Sequence, residues 1–175
     1  MTTHPKVSII VLNWNGLEDT IECLESLRRL NYPNYDVIVV DNGSEDGSPR
    51  VIRKRFPEVI LIENEANLGF VRGNNVGMAQ ALQDGADYLF LLNNDTYVDE
   101  DCLTELARVA ASDPSIGVVG PLMQRHFQPS IIDMGGDFDF WTGNVHLRRF
   151  NEQLDGADML PIDYVWGCGF FVKAQ

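Results

Sequence analysis

Asp87-Tyr88-Leu89-Phe90-Leu91-Leu92-Asn93-Asn94-Asp95-Thr96 is the stretch whose reading decides the fold. Residues 88–92 are large and apolar without polar alternation, the pattern of a strand buried on both faces of a parallel sheet. The run then breaks into two amides, a carboxylate and a hydroxyl. In an open α/β sheet, ligands lie in the crevice beyond the carboxyl ends of the strands. Oxygen-bearing side chains at such an end are placed to hold a hard cation and the phosphate bound to it. A polar loop capping the next helix is the competing reading. It has to account for the same architecture twice upstream.

The first upstream copy is Val7-Ser8-Ile9-Ile10-Val11-Leu12, which ends in Asn13-Trp14-Asn15-Gly16. Leu17, Ile21, Leu24, Leu27 and Leu30 follow at helical spacing. Glu18 and Asp19 stand early and Arg28 and Arg29 late, as the helix dipole favours. The second copy, Asp36-Val37-Ile38-Val39-Val40, runs into Asp41-Asn42-Gly43-Ser44-Glu45-Asp46-Gly47-Ser48. Ser48 followed by Pro49 reads as an N-cap with proline at the first helical position. Val59-Ile60-Leu61-Ile62 predicts a third strand, and a small-residue helix is expected over 72–82, stopped by Gly85. After residues 88–92 come a helix over 98–111 and a fifth strand over 116–123.

This alternation means parallel strands joined by right-handed helical crossovers. Distant sequence then converges, because parallel strands place Asn13, Asp41 and Asn93 on one edge. After Met123 the rhythm stops. Residues 124–150 suggest an irregular hairpin, and residues 163–172 return as a strand-like run interrupted by Gly167 and Gly169.

The chain has 175 residues, 45% hydrophobic and 22% charged, enough for one domain with a sizeable core. No apolar run approaches the ~20 residues of a membrane helix. The first six residues hold no apolar signal core, which predicts a cytoplasmic location. Cys23, Cys102 and Cys168 are widely spaced, arguing for reduced thiols over disulfides or zinc. Lys plus Arg number 13 against 26 for Asp plus Glu, a net charge of −13 that disfavours nucleic acid. A phosphate-bearing ligand would need a cation, backbone N–H groups or a helix N-terminus to hold it.

Several residues are candidates for that task. Asp41 could accept from a base N–H or a ribose hydroxyl, and Ser44 could meet phosphate; an Asx-rich turn is the alternative for this segment. Trp14 could stack on a ring or be a buried aromatic. Asn67-Leu68-Gly69-Phe70, with Arg72, Gly73, Asn74 and Asn75, opens a helix where N–H groups could face a diphosphate, or is a plain cap. It is neither a Gly-Lys-Ser/Thr phosphate loop nor a Gly-x-Gly-x-x-Gly turn. His4, His126 and His146 share no spacing pattern.

The four motifs at residues 7–15, 39–48, 67–75 and 91–96 together resemble family 2 glycosyltransferases of the GT-A fold, a mostly parallel Rossmann-like sheet flanked by helices. The likeness extends along essentially the whole chain, and the rhamnosyltransferase-like branch that builds bacterial surface polysaccharides is the nearest in pattern. The resemblance implies that Asn13, Trp14, Asn15, Asp41, Asn42, Ser44, Asn67, Gly73, Asn74, Asn93, Asn94 and Asp95 surround a nucleotide-sugar. Asp95 would be the ligand of a Mg²⁺ or Mn²⁺ ion, with Asn93 where the family's Asp-x-Asp motif begins. One carboxylate instead of two implies weak metal affinity without nucleotide. Residues 1–123 would be the nucleotide-sugar-binding half. Residues 124–175 would begin the acceptor-side half of the same domain, with Trp166, Gly167 and Cys168 facing the acceptor.

The family's catalytic Asp or Glu follows the strand that Val165-Trp166-Gly167-Cys168-Gly169-Phe170-Phe171-Val172 resembles, so the base is expected beyond Gln175. Asp137, Asp139 and Asp163 are in-chain substitutes. The implied donor is dTDP-rhamnose, or a UDP-sugar as second choice. The acceptor is a saccharide or lipid-linked saccharide, and the location is cytoplasmic, with the inner membrane surface as an alternative. Two rivals stand beside this reading. A nucleotidyltransferase would want a basic loop after the first strand, and Asn13-Trp14-Asn15-Gly16-Leu17 has no Lys or Arg. A nucleotide-binding fragment without turnover is the other.

Overall fold

The computed structural model describes residues 4–125, 127–133, 135–147, 152–153 and 161–174. The first part alternates as expected: β1 (Val7–Asn13), α1 (Leu17–Leu27), β2 (Tyr35–Asp41), α2 (Ser48–Arg55), β3 (Ile60–Glu63), α3 (Gly69–Gln83), β4 (Tyr88–Asn93) and α4 (Cys102–Ser112). Short strands follow: β5 (Val118–Val119), β6 (Met123–Arg125), β7 (Gln128–Asp133), β8 (Gly136–Asp139), β9 (Asn144–Leu147), β10 (Glu152–Gln153) and β11 (Gly169–Lys173).

The main sheet runs in the order β3-β2-β1-β4-β11-β5. β1 pairs in parallel with β2 and β4, and β2 with β3. The chain leaves β1 towards β2 and β3, then crosses back to place β4 on the other side. That reversal beside β1 is where an α/β sheet opens a crevice. Alternate residues divide between two cores. Val7, Ile9 and Val11 of β1 pack with Leu24 and Leu27 of α1, Ile52 of α2 and Leu103 of α4. Ile10, Ile38 and Val40 face Ala81 of α3 on the other side. Both faces of β1, β2 and β4 are therefore covered, and their sequences read as unbroken apolar runs for that reason.

α3 lies close to the sheet because its inward residues are small. A Cβ on Gly77 would stand 2.6 Å from Ile10 Cγ2. Gly85 ends this helix as expected: at φ 77° it turns the chain so that Gly85 N–H donates to Leu82 O and Ala86 N–H to Ala81 O.

Several element boundaries differ from the sequence reading. The helix expected over 98–111 begins at Cys102, because Asp99 Oδ1 and O accept from Asp101 N and Cys102 N and make a separate turn first. α3 begins at Gly69, so the Asn67-Leu68-Gly69-Phe70 motif enters its first turn. Ser48 is helical, and its cap is Gly47 at φ 84°; the Asp46 carboxylate accepts the Ser48 N–H and hydroxyl. The strand expected over 116–123 is broken by Gly120-Pro121 into β5 and β6.

The strand-like run expected over 163–172 forms β11 only from Gly169, and its place in the sheet is what periodicity could not give. It inserts antiparallel between β4 and β5. Phe171 opposes Phe90, with ring centroids 6.1 Å apart, and stacks on Tyr88 at 5.0 Å. Such aromatic pairs add about 0.5–1.5 kcal/mol beyond area burial. β5 consequently runs in the same direction as β4 without touching it. Beyond the main sheet, β10-β7-β6 form one small antiparallel sheet and β8-β9 a hairpin, bridged to Tyr164 through Gly136. Among the described residues no helix is long and apolar enough to cross a membrane.

Candidate functional site

The carboxyl ends of β1, β2 and β4 lie side by side. Register pairs Asn13 with Asp41, and Leu12 with Asn93. Asp41 and Asn93 thus flank β1 on one rim, as the sequence predicted from parallel pairing alone.

The Asp41 end is laced tightly. Asn13 Nδ2 donates to Asp41 Oδ1 at 2.8 Å and to Ser44 Oγ at 3.2 Å. Ser44 N donates to Asp41 Oδ2 at 2.8 Å. Asp41 is 1% exposed, so its carboxylate sits under the loop it organises. Asn15 closes the next layer: its N–H donates to Ser44 Oγ at 2.9 Å, and its Oδ1 accepts from Glu45 N at 2.8 Å. Asn15 adopts φ 53°, a left-handed conformation that Asn tolerates. Asp46 fastens the same two loops by accepting Leu17 N–H at 3.1 Å. Burial pushes the Asp46 carboxyl up, but hydrogen bonds from Ser48 and Leu17 outweigh it and hold the group below its ordinary value. Trp14, between Asn13 and Asn15 on this rim, is 57% exposed.

A second cluster is made of amides. Asn42 is buried and gives Nδ2 to Asn67 Oδ1 at 2.8 Å, while its Oδ1 accepts Asn64 Nδ2 and Leu68 N at 3.1 Å. Asn67 Oδ1 also takes Gly69 N–H at 2.8 Å. Two N–H groups at the entrance to α3 are thereby satisfied by the protein's own side chains. Arg72 is exposed in the first turn of α3. Gly73 and Asn74 point inward instead. A Cβ on Gly73 would meet Leu12 Cδ1 at 2.5 Å, and Asn74 Nδ2 donates to Phe70 O of its own helix.

The β4 end is open. Asp95 is exposed, and its carboxylate accepts no hydrogen bond from the described residues. It borders a cavity of about 370 Å³ lined by Phe90, Leu92, Asp99, Cys102 and Met123. Asn94 differs from its neighbour: its Nδ2 donates to Thr20 Oγ1 at 3.0 Å. Asn93 N donates to Cys168 O at 3.1 Å, which brings Trp166, Gly167 and Cys168 beside the rim. Trp166 packs edge-on to Tyr164 with centroids 5.5 Å apart.

Asp139, on the β8-β9 hairpin, accepts Trp141 N and Thr142 N. The Thr142 hydroxyl and these N–H groups hold its carboxyl below the ordinary value, which weakens it as a proton acceptor. Asp163 accepts Phe138 N at 3.3 Å across the base of the same hairpin.

Thr20, Gly16, Asn64 and Asp46 were absent from the candidates named for this rim. Thr20 carried a signal: it lies four residues before Leu24 and seven before Leu27, a hydroxyl on the apolar face of α1.

A mostly parallel sheet whose polar strand ends meet at the reversal beside β1 is the architecture of the GT-A fold. The model for Glycosyl transferase family 2 matches residues 8–173, and the chain belongs to that family. It is 30% identical over 170 residues to the N-acetylglucosaminyl-diphospho-decaprenol L-rhamnosyltransferase of Mycobacterium tuberculosis, covering 86% of this chain and 55% of that protein. It is 26% identical over 164 residues to the poly-beta-1,6-N-acetyl-D-glucosamine synthase of Staphylococcus epidermidis, covering 93% of this chain and 34% of that one. The chain thus spans only about a third to a half of these curated relatives.

Among solved structures, the mannosyltransferase PcManGT from Pyrobaculum calidifontis in complex with GDP-Man and Mn²⁺ superposes with a TM-score of 0.63 at 25% identity, over 71% of this chain and 37% of that one. TarS 1-349 of S. aureus in complex with UDP-GlcNAc gives 0.58 at 26% identity, over 66% and 33%.

Proposed function

We propose that this chain carries the donor-binding part of an inverting glycosyltransferase, which moves a sugar from a nucleoside diphosphate to a hydroxyl acceptor in polysaccharide synthesis. The observation that carries the reading is the pairing, on one rim, of a rigid polar cluster at Asn13, Asp41 and Ser44 with a carboxylate at Asp95 that is exposed and takes no hydrogen bond from the described residues. The rigid end suits a base and ribose, with Trp14 over the ring. The open end suits the charged diphosphate, and the cavity beside Asp95 the sugar.

Asp95 fits as a ligand for Mg²⁺ or Mn²⁺. No group of three His, Cys, Asp or Glu gathers as a cation cage among the described residues. The remaining ligands would be diphosphate oxygens, so metal and nucleotide arrive together. The ion would neutralise charge developing on the departing diphosphate. The acceptor oxygen attacks the anomeric carbon opposite the leaving group as a carboxylate base takes its proton. Trp166, Gly167 and Cys168 stand on the side from which a saccharide or lipid-linked acceptor would approach.

dTDP-rhamnose is the first donor and a UDP-sugar the second. The likeness to the mycobacterial rhamnosyltransferase supports the first, and that to TarS bound to UDP-GlcNAc the second. A lipid-linked acceptor would place the protein at the cytoplasmic membrane surface.

Calorimetry against dTDP, UDP and GDP, with and without Mn²⁺, tests the reading. We expect one nucleoside diphosphate to bind weakly alone and more tightly with metal. Donor hydrolysis or transfer by the 175-residue chain separates a working enzyme from a nucleotide-binding fragment. Equal affinity with and without Mn²⁺ removes the cation from Asp95.

A further inference from the structure

Thr20 is fully buried and belongs to none of the strand ends, yet its hydroxyl joins them. It donates to Asn13 Oδ1 at 2.9 Å and accepts from Asn94 Nδ2 at 3.0 Å. The directions of these bonds are not arbitrary. Asp41 accepts at both oxygens, so Asn13 must turn its Nδ2 towards β2. Asn13 Oδ1 then faces α1, where it takes Gly16 N–H at 3.2 Å and the Thr20 hydroxyl proton. A hydroxyl has one proton to give. Thr20 therefore meets Asn94 only as an acceptor, and the Asn94 amide is turned with Nδ2 inward.

A one-way donor chain, Asn94 to Thr20 to Asn13 to Asp41, crosses the rim from the residue beside Asp95 to the carboxylate under the base-side loop. Bonds in such a chain polarise one another. Gly16 makes room for it: a Cβ there would stand 2.5 Å from Asn94 Nδ2. Backbone freedom is not the reason, since Gly16 sits at φ −121°.

We propose that Thr20 is a positioning residue that ties Asn94, and with it the adjacent Asp95, to the Asp41 end of the rim, so that nucleotide and cation bind cooperatively. This rests on the donor-site reading above. A structural hydroxyl would contribute stability alone. A coupling hydroxyl sets the ratio of UDP dissociation constants measured without and with Mn²⁺.

Calorimetry with UDP and Mn²⁺ is run on the wild type, Thr20→Val, Thr20→Ser and Gly16→Ala. Thr20→Val should cut the ratio about fivefold or more, the scale of ordinary coupling between sites, whatever it does to the metal-free constant. Thr20→Ser should restore it. Gly16→Ala should lower it too, by pushing the amide aside with the hydroxyl present, and it keeps the test alive if Thr20→Val does not fold. In the wild type, NMR should show slow exchange of the Asn94 side-chain amide protons. A wild type with no Mn²⁺-dependent gain overturns the cation reading and the cooperativity with it. A wild-type gain that survives in Thr20→Val and Gly16→Ala, or fast exchange at Asn94, overturns the relay alone.

Discussion

Two aspartates mark the two ends of one rim, and the fold treats them in opposite ways. Asp41 is the last residue of a central strand, with both carboxylate oxygens bonded and almost no surface. Asp95 stands two residues past the end of β4, exposed and without a donor among the described residues. The same side chain braces loops at one end and is left to a ligand at the other. The proposed donor site would benefit from that asymmetry: rigidity would preorganise the contact with a base, and a carboxylate with no donor among the described residues would be left for the cation.

The contrast breaks most readily at Asp41. Asp41→Ala removes the acceptor for Asn13 Nδ2 and Ser44 N–H, and each buried group left unsatisfied costs ~1–3 kcal/mol. We expect a loss of about 3 kcal/mol in urea unfolding. A loss near zero would mean that the cluster is not bracing the loops. Asp95→Ala should leave stability within ~0.5 kcal/mol, as for an exposed side chain with no donor among the described residues. The same variant should abolish the Mn²⁺-dependent gain in nucleoside diphosphate affinity. If it unfolds as easily as the Asp41 variant, the two ends are not different in kind.

Asp46 sharpens the comparison, because it fastens the rigid end from the solvent side. Its folded carboxyl is held below the ordinary value of 3.8. A depressed carboxyl contributes stability above the unfolded value, lost as pH falls through the folded one. Acid unfolding should therefore steepen below about pH 4 in the wild type and flatten in Asp46→Asn, followed by circular dichroism. The smallest effect is at Cys23. Burial, and then the Asp95 charge, push its thiol up to about 12. Iodoacetamide should leave it unmodified in the folded protein and label it on unfolding; rapid labelling of the native chain would show that the β4 end is looser than described.

Much of this arrangement was readable from local pattern. Uninterrupted apolar runs such as residues 88–92 announce strands covered on both faces. Parallel pairing then forces Asn13, Asp41 and Asn93 onto one edge without any knowledge of distances. Gly85 was readable because glycine, which takes the left-handed conformation without strain, commonly ends a helix. The roles within the edge were not. Gly73 and Asn74, read as facing a diphosphate or as part of a plain cap, lie against Leu12 and the Phe70 carbonyl of their own helix. Asp41, read as an acceptor for a base or ribose, is enclosed and accepts from Asn13 and Ser44. Thr20, not among the residues named from the sequence, bonds both Asn13 and Asn94.

The order of polar and apolar residues alone determined that four strands and their helices would alternate, and that their ends would carry amides and carboxylates. Burial of an unbroken apolar strand has few solutions, so that outcome needed no contacts to be known. Only the tertiary structure decided that β11 returns between β4 and β5, setting Phe171 against Phe90, and which aspartate on the rim is bonded and which is open. Those outcomes depend on contacts between residues far apart in the chain, whose energies no local spacing encodes.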